Sequence, residues 1–379
     1  MNGQWIGQYK AVSAVPESIQ VTGLTVINVD DRVDHYSGVA YFNEFDSKFL
    51  STASFFVTRN KERKFTLKEN PILPINPMTG VIDSWINIKK LNADMKYSSH
   101  ADVDGDWNEE ILTVRWKTEQ GAVGSCVLQK GRADKPSDYV SKPLDWDGFK
   151  KDVAGFERGK FIFRGQNKLK RLRTKFHRTG RSELNRFINE DIKTLHRVLS
   201  ARTRHVFNLN VPDENGAFYN LVQHHGYPTP LLDWTYSPYV AAFFAYRGIS
   251  NEDSLKADEN DRVRIFVFDQ KQWQKDNSHS MILDTSHLHL SIMEFMAIDN
   301  ERVIPQQAVS TVTNIDDIEG FIKDTEYRTK KQYLYIIDLP VKERRKVLRE
   351  LSYMGITAGS LFPGLDGACE GLREQLFEI

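Results

Sequence analysis

The chain is 379 residues long, 40% hydrophobic and 27% charged, with 51 basic and 51 acidic side chains. That length reads as two domains, and the composition excludes a disordered, collagen-like or disulfide-scaffold protein. No apolar run reaches the roughly 18 residues of a membrane span, MNGQWIGQYK opens without a leader pattern, and only Cys126 and Cys369 occur, so a cytoplasmic protein with reduced thiols is expected.

Residues 1–130 read as about eight short β segments, at 5–9, 18–28, 36–42, 51–59, 64–67, 82–88, 110–117 and 123–129. Asp104-Gly105 and Gln120-Gly121 are turn signals. With no helical pattern between the segments, a small antiparallel β-barrel or sandwich is the simplest fold; such a barrel is filled by its own side chains or holds one small ligand. The opening Trp5-x-Gly7-x-Tyr9 resembles the first strand of lipocalin-like barrels. Residues 131–146, polar and Pro-bearing, read as a linker to a second domain at 147–379.

In that second domain, a short helix is expected over 146–153, and 160–166 (KFIFRGQ) alternates as a strand ending in Arg-Gly-Gln. Apolar residues at helical spacing from Leu184 to Leu199 predict one amphipathic helix within 181–204. A helix over 214–223 leads to His224 and His225, and Pro238 followed by an Ala- and Phe-rich run predicts a buried helix over 240–246, capped by Thr235 or Ser237. Residues 250–262 read as a loop, 263–269 (VRIFVFD) and 334–339 as central strands, and 342–354 as a helix. The whole is α+β: the β domain, then a mixed α/β domain.

Charge is unevenly placed, since 157–204 carries 15 basic and 4 acidic residues. This island is either a solvated face meeting the acidic C-terminal third or a surface for phosphate, whether of a nucleotide, a dinucleotide or a nucleic-acid target; a protein target is the other macromolecular partner considered. Phosphate-loop, zinc-protease, Cys-x-x-Cys and nucleophile-elbow motifs are absent. His224 and His225 would point to opposite sides of an extended segment, and His279, His287 and His289 read as surface residues, so no metal is expected.

Four motifs together resemble the FRG domain family. They are Phe163-Arg164-Gly165; Gln223-His224-His225-Gly226 with Pro228-Thr229 and Leu231-Leu232-Asp233-Trp234-Thr235, then Ser237-Pro238 and Phe244-Ala245; Arg302 with Gln306; and Ser360-Leu361-Phe362-Pro363 through Leu365-Asp366-Gly367. Pro230 stands where the family usually has Arg, and Ala308 where a Gly usually follows the Gln pair.

The motif order is also similar to the Arg-Ser-Glu group of ADP-ribosyltransferases. That resemblance implies NAD as co-substrate and no metal, with Arg164, Gly165, Gln166, Thr229 and Thr235 toward the dinucleotide. His224, Asp233, Ser237 and Gln306, with Arg164, are the implied catalytic set. A neutral Gln306 cannot stabilise a cationic ribosyl centre as a carboxylate would, so either Asp233 supplies the charge or the fold binds a nucleotide without turnover. The residues also admit plainer readings. Arg164 can be a strand-end Arg paired with Asp233, residues 233–235 a helix brace, and Gln306 a structural amide. Three functions follow: an NAD-consuming transferase or hydrolase with the β domain as sensor or targeting module, a non-catalytic nucleotide or nucleic-acid binder, or an interaction scaffold.

Overall fold

The computed structural model describes residues 1–12, 19–46, 49–91 and 97–377. The expected second β segment begins at residue 18, outside the described residues.

Nine antiparallel strands form the first sheet: β1 (Gly3–Val12), β2 (Gln20–Asp31), β3 (Tyr36–Glu44), β4 (Thr52–Val57), β5 (Lys64–Pro71), β6 (Leu73–Pro74), β7 (His100–Trp107), β8 (Ile111–Thr118) and β9 (Val123–Lys130). Their order is β5-β7-β8-β9-β1-β2-β3-β4-β6. The sheet curls until β4 meets β5, where Asn70 donates to the Phe55 carbonyl at 3.1 Å and Ser54 to the Pro71 carbonyl at 2.6 Å. The result is a nearly closed barrel with Trp5, Ile27, Val29, Leu112 and Leu128 inside.

Local chemistry overrides two expectations in this region. Residues 82–88 are not a strand: Ser84 accepts from the Asn87 amide at 3.2 Å and starts the Trp85–Leu91 helix. Asp104-Gly105 is not a turn but the middle of β7, where the Phe65 ring of the next strand occupies the space a Gly105 side chain would need. The turn falls instead at Asn108, whose side-chain oxygen accepts from the amides of Glu110 and Ile111.

The second sheet runs β10 (Ser141–Pro143), β16 (Leu334–Pro340), β13 (Arg262–Asp269), β11 (Phe161–Gln166), β12 (Leu231–Thr235), β15 (Ala308–Thr313) and β14 (Leu290–Met293). Only the β10–β16 pair is parallel. Both faces are buried, which is why β13 reads as an unbroken apolar run. Val263, Ile265 and Val267 pack beneath the Pro238–Arg247 helix, while Phe266 and Phe268 pack with Trp234, Trp273 and Ile318.

Residues 131–146 are built into this domain. β10 extends the sheet, Tyr139 packs against its core, and Ser137 donates to Glu319 at 2.5 Å. Ser250 caps an Asn251–Lys256 helix in the stretch read as a loop. The 181–204 stretch is helical from Leu184 to Leu199, but Phe187–Ile192 is π-wound; Glu183 supplies the cap. His289 is buried rather than superficial; its ring lies between the Ser291 hydroxyl and the Ile282 carbonyl, and burial pulls it down to about 4. Among the described residues no helix is long and apolar enough to cross a membrane.

Much of the basic island is consumed internally. Arg171 meets Asp138 and Asp317, Arg173 meets Asp316, and Arg181 and Arg186 both reach Asp30 of β2 at 3.2 Å. Asp30, buried in the barrel wall, also accepts the amides of Ser182 and Glu183 at 2.7 and 3.1 Å. Four donors on one buried carboxylate fasten the barrel to the second domain. Asp30→Ala leaves the Ser182 and Glu183 amides unpaired and removes one of the two carboxylate partners of both Arg181 and Arg186, which keep Asp191 and Glu190, so we expect a loss of about 2–4 kcal/mol in chemical denaturation. A loss under about 1 kcal/mol means the junction holds without it.

Candidate functional site

The site starts from a break in the second sheet. β11 and β12 share the single pair Phe163↔Thr235, so their backbones part beyond it. Arg164 fills the gap: its Nη1 donates to the Asp233 carbonyl at 2.5 Å. Its Nε is enclosed without a partner, and burial lowers its pKa against the opposing pull of Asp233. The expected pairing of the two side chains therefore takes another form. Arg164 holds the Asp233 main chain, and the Asp233 carboxylate accepts from the Gln223 amide.

Gln223 in turn accepts from the hydroxyl of Thr229, which is fully buried. Gln166 is placed next to the same strand end, its oxygen accepting from Arg178 at 3.2 Å. Gly165 touches the Pro238–Arg247 helix so closely that a Cβ would overlap the Ala241 carbonyl. Ser237 is the cap of that helix, accepting from the Val240 amide at 3.2 Å, with Pro238 in its first turn.

The late motifs close on the same region. Thr235 accepts from the Ser237 amide and donates to the Gln306 carbonyl at 2.7 Å. The Gln306 amide donates to Leu361 at 2.9 Å. Arg302 donates to the His224 carbonyl at 3.0 Å and its guanidinium lies 5.5 Å from the Phe362 ring. Residues from all four motifs thus lock together, and most do so through main-chain oxygens, as structural braces do.

His224 is the member that faces open space. It ends the Pro212–His224 helix rather than lying in an extended segment. The Asn300 amide donates to its Nδ1, which puts the proton of the neutral ring on Nε2 by the hydrogen-bond pattern. Burial lowers its pKa; Asp233 opposes this, while Arg302, His225 and Lys175 reinforce it. His224, Arg302 and His225 line a cavity of about 430 Å³ with Arg202, Arg204 and Glu301. Arg164, Asp233, Ser237 and Gln306 are not among the lining residues, although Asp233 lies within electrostatic reach of both Arg164 and His224.

Sequence reasoning missed Arg202, Arg204, Asn300 and Glu301. The nearest signal was the basic run at 157–204; nothing marked Asn300 or Glu301 apart from the short spacing to Arg302. Among the described residues no group of three or more His, Cys, Asp or Glu is placed to hold a metal.

The fold and site define an α+β domain whose strand-end arginine, helix-end histidine and late Arg-Gln segment meet at a parted sheet. The FRG domain family model matches residues 159–254, so the chain carries an FRG domain. That match spans the first two motifs; the Arg302–Gln306 and 360–367 elements lie beyond it. No curated protein and no solved structure matches the chain significantly.

Two consequences can be measured. Gly165→Ala drives a methyl into a helix backbone, so we expect a loss of about 2–3 kcal/mol in urea denaturation; an unchanged midpoint would show that the helix is not held there. His224 is held below its ordinary value of 6.5, so the stability tied to its neutral ring is present above about pH 6.5 and lost as pH falls below it. His224→Gln should therefore lose less stability than the wild type between pH 7.5 and 5.5; parallel losses refute this.

Proposed function

We propose that the FRG domain binds the phosphates of a nucleotide in the cavity beside His224, and that the ligand is NAD. The observation carrying this reading is the convergence of three arginines and two histidines on one cavity that also holds two acids, Asp299 and Glu301. Asp299 is turned to the Arg204 and His205 amides, and three guanidiniums against two carboxylates leave the cavity with cationic charge in excess. Planar guanidinium forks suit pyrophosphate oxygens. A neutral His224 with its proton on Nε2 is a hydrogen-bond donor that carries no desolvated charge.

Consumption of NAD is the finer part of this reading and rests on the resemblance to ADP-ribosyltransferases. The nicotinamide–ribose bond breaks, nicotinamide leaves with the bonding pair, and water or an acceptor on a macromolecule adds at the ribose carbon. Gln306 supplies no charge for that step and its amide is already committed to Leu361. Asp233 is the carboxylate within electrostatic reach of His224 but does not line the cavity, so it is assigned a field effect through His224 and not a contact with the ribosyl centre. The same commitment of Gln306 favours a second reading, a module that binds a nucleotide without cleaving it.

Calorimetric titration with NAD, followed by assay of nicotinamide release from labelled NAD, separates these. Arg202→Ala and Arg302→Ala are each expected to weaken binding about tenfold, the equivalent of ~1.4 kcal/mol. Binding without nicotinamide release selects the non-catalytic module, and no binding at millimolar NAD removes the proposal.

A further inference from the structure

A second cavity, of about 400 Å³, lies within the barrel, far in character from the first. Its walls are aromatic. Tyr9, Phe42 and Trp116 form one cluster, with ring centroids 5.1–5.9 Å apart, and Trp85 stacks on Tyr97 at 3.7 Å on another wall. The volume falls in the range of small-molecule sites, about 300–1,000 Å³.

Two polar groups are buried side by side in this apolar setting. The Tyr9 hydroxyl and the Glu44 carboxyl interact with each other, and among the described residues neither the hydroxyl nor Oε2 of Glu44 has any further hydrogen-bond partner; Tyr9 is only 3% exposed. Glu44 ends β3 opposite Gly23, and the missing Gly23 side chain leaves space for the Tyr9 ring. The remaining anchor of Glu44 is its main chain, whose amide donates to Ser51 at 3.0 Å. Burial pushes the Glu44 carboxyl up to about 7, with the nearby Tyr9 hydroxyl opposing and Asp46 adding to the rise. A carboxyl and a phenol with only each other for company still lose most of their hydration on burial, so a barrel filled merely for packing would place apolar residues there.

We infer that the barrel is a receptor for a small organic cation, an ammonium carried on an aromatic or alkyl body. Glu44 is the counter-ion, the Tyr9 oxygen accepts a further N–H, and the faces of Phe42 and Trp116 surround the charge. Ammonium groups are drawn to aromatic faces and gain most where water is excluded. A carboxylate among rings selects a cation over an anion of the same shape, because an anion would meet like charge and the lining residues include no cationic side chain to offset it. This site is independent of the nucleotide reading, since none of its residues lines the cavity beside His224.

The test uses the full chain in calorimetric titrations with phenethylammonium, tryptamine and choline, against 3-phenylpropionate and 2-phenylethanol as anionic and neutral counterparts of the first. At least one ammonium should bind, with 3-phenylpropionate showing no heat and 2-phenylethanol at least tenfold weaker than phenethylammonium. Glu44→Gln should lower the affinity at least tenfold and Tyr9→Phe severalfold, with ligand-free melting temperatures near the wild type. Arg302→Ala should leave the affinity unchanged. Equal binding of the neutral or anionic probe, unchanged affinity in Glu44→Gln, or no heat from any ammonium at millimolar concentration would overturn the inference.

Discussion

The second domain depends on the contact between Gly165 and the Pro238–Arg247 helix. At Gly165 the strand backbone meets the helix backbone at Ala241 and Ala245 with no room for any side chain, and that closeness fixes the helix over β11 and β13. Once the helix is seated, its cap at Ser237 and the strand end at Thr235 have one possible position. Gln306 then follows through the Thr235 hydroxyl. The neighbouring residue, Arg164, lies on the opposite side of the strand and fills the opening between β11 and β12. A three-residue Phe-Arg-Gly sequence thereby combines a core residue, a cation at the sheet break and a helix seat, each dictated by strand alternation.

Net charge alone misdirects at the basic island. Fifteen basic residues in 48 positions read equally well as a phosphate surface, yet Arg171, Arg173, Arg181 and Arg186 are spent on carboxylates from the barrel and the C-terminal third. Pairing partners such as Asp30 and Asp316 are more than 100 residues away in sequence, so no local pattern announces them. At the far end of the island, Arg202 and Arg204 line the cavity beside His224.

Features set by local periodicity were legible: the strand alternation of 160–166, the apolar run of β13, the Pro238 helix start, the Gln120-Gly121 turn. Features set by competition between neighbours were not. Ser84 capping turned an alternating stretch into a helix, and Asn108 took the turn that Asp104-Gly105 advertised. Within the candidate site, His224 and Arg302 were legible as motif residues, but their meeting depends on the Asn300 amide and on Phe362, which reach them only through the fold. The cavity of the barrel was legible only as an option, because strand count admits either a filled or a hollow interior; the buried pair of Glu44 and Tyr9 is visible once the strands are in register.

The helical stretch from Leu184 to Leu199 gives the two domains a shared element. At its start Asn185 donates to the Tyr41 hydroxyl of β3 at 2.5 Å, and the preceding residues are tied to Asp30 of β2. At its end Leu199 and the following Arg202 and Arg204 line the cavity beside His224. Glu44 terminates the same β3 strand that carries Tyr41. The wall of one cavity and the wall of the other are therefore joined by one strand and one helical segment, and that segment contains a π-wound turn at Phe187–Ile192, a winding often found at functional sites. The barrel's strands and the segment leading to the cavity beside His224 form a continuous packed connection, so the position of Arg202 and Arg204 is set in part by how the barrel holds Asp30 and Tyr41.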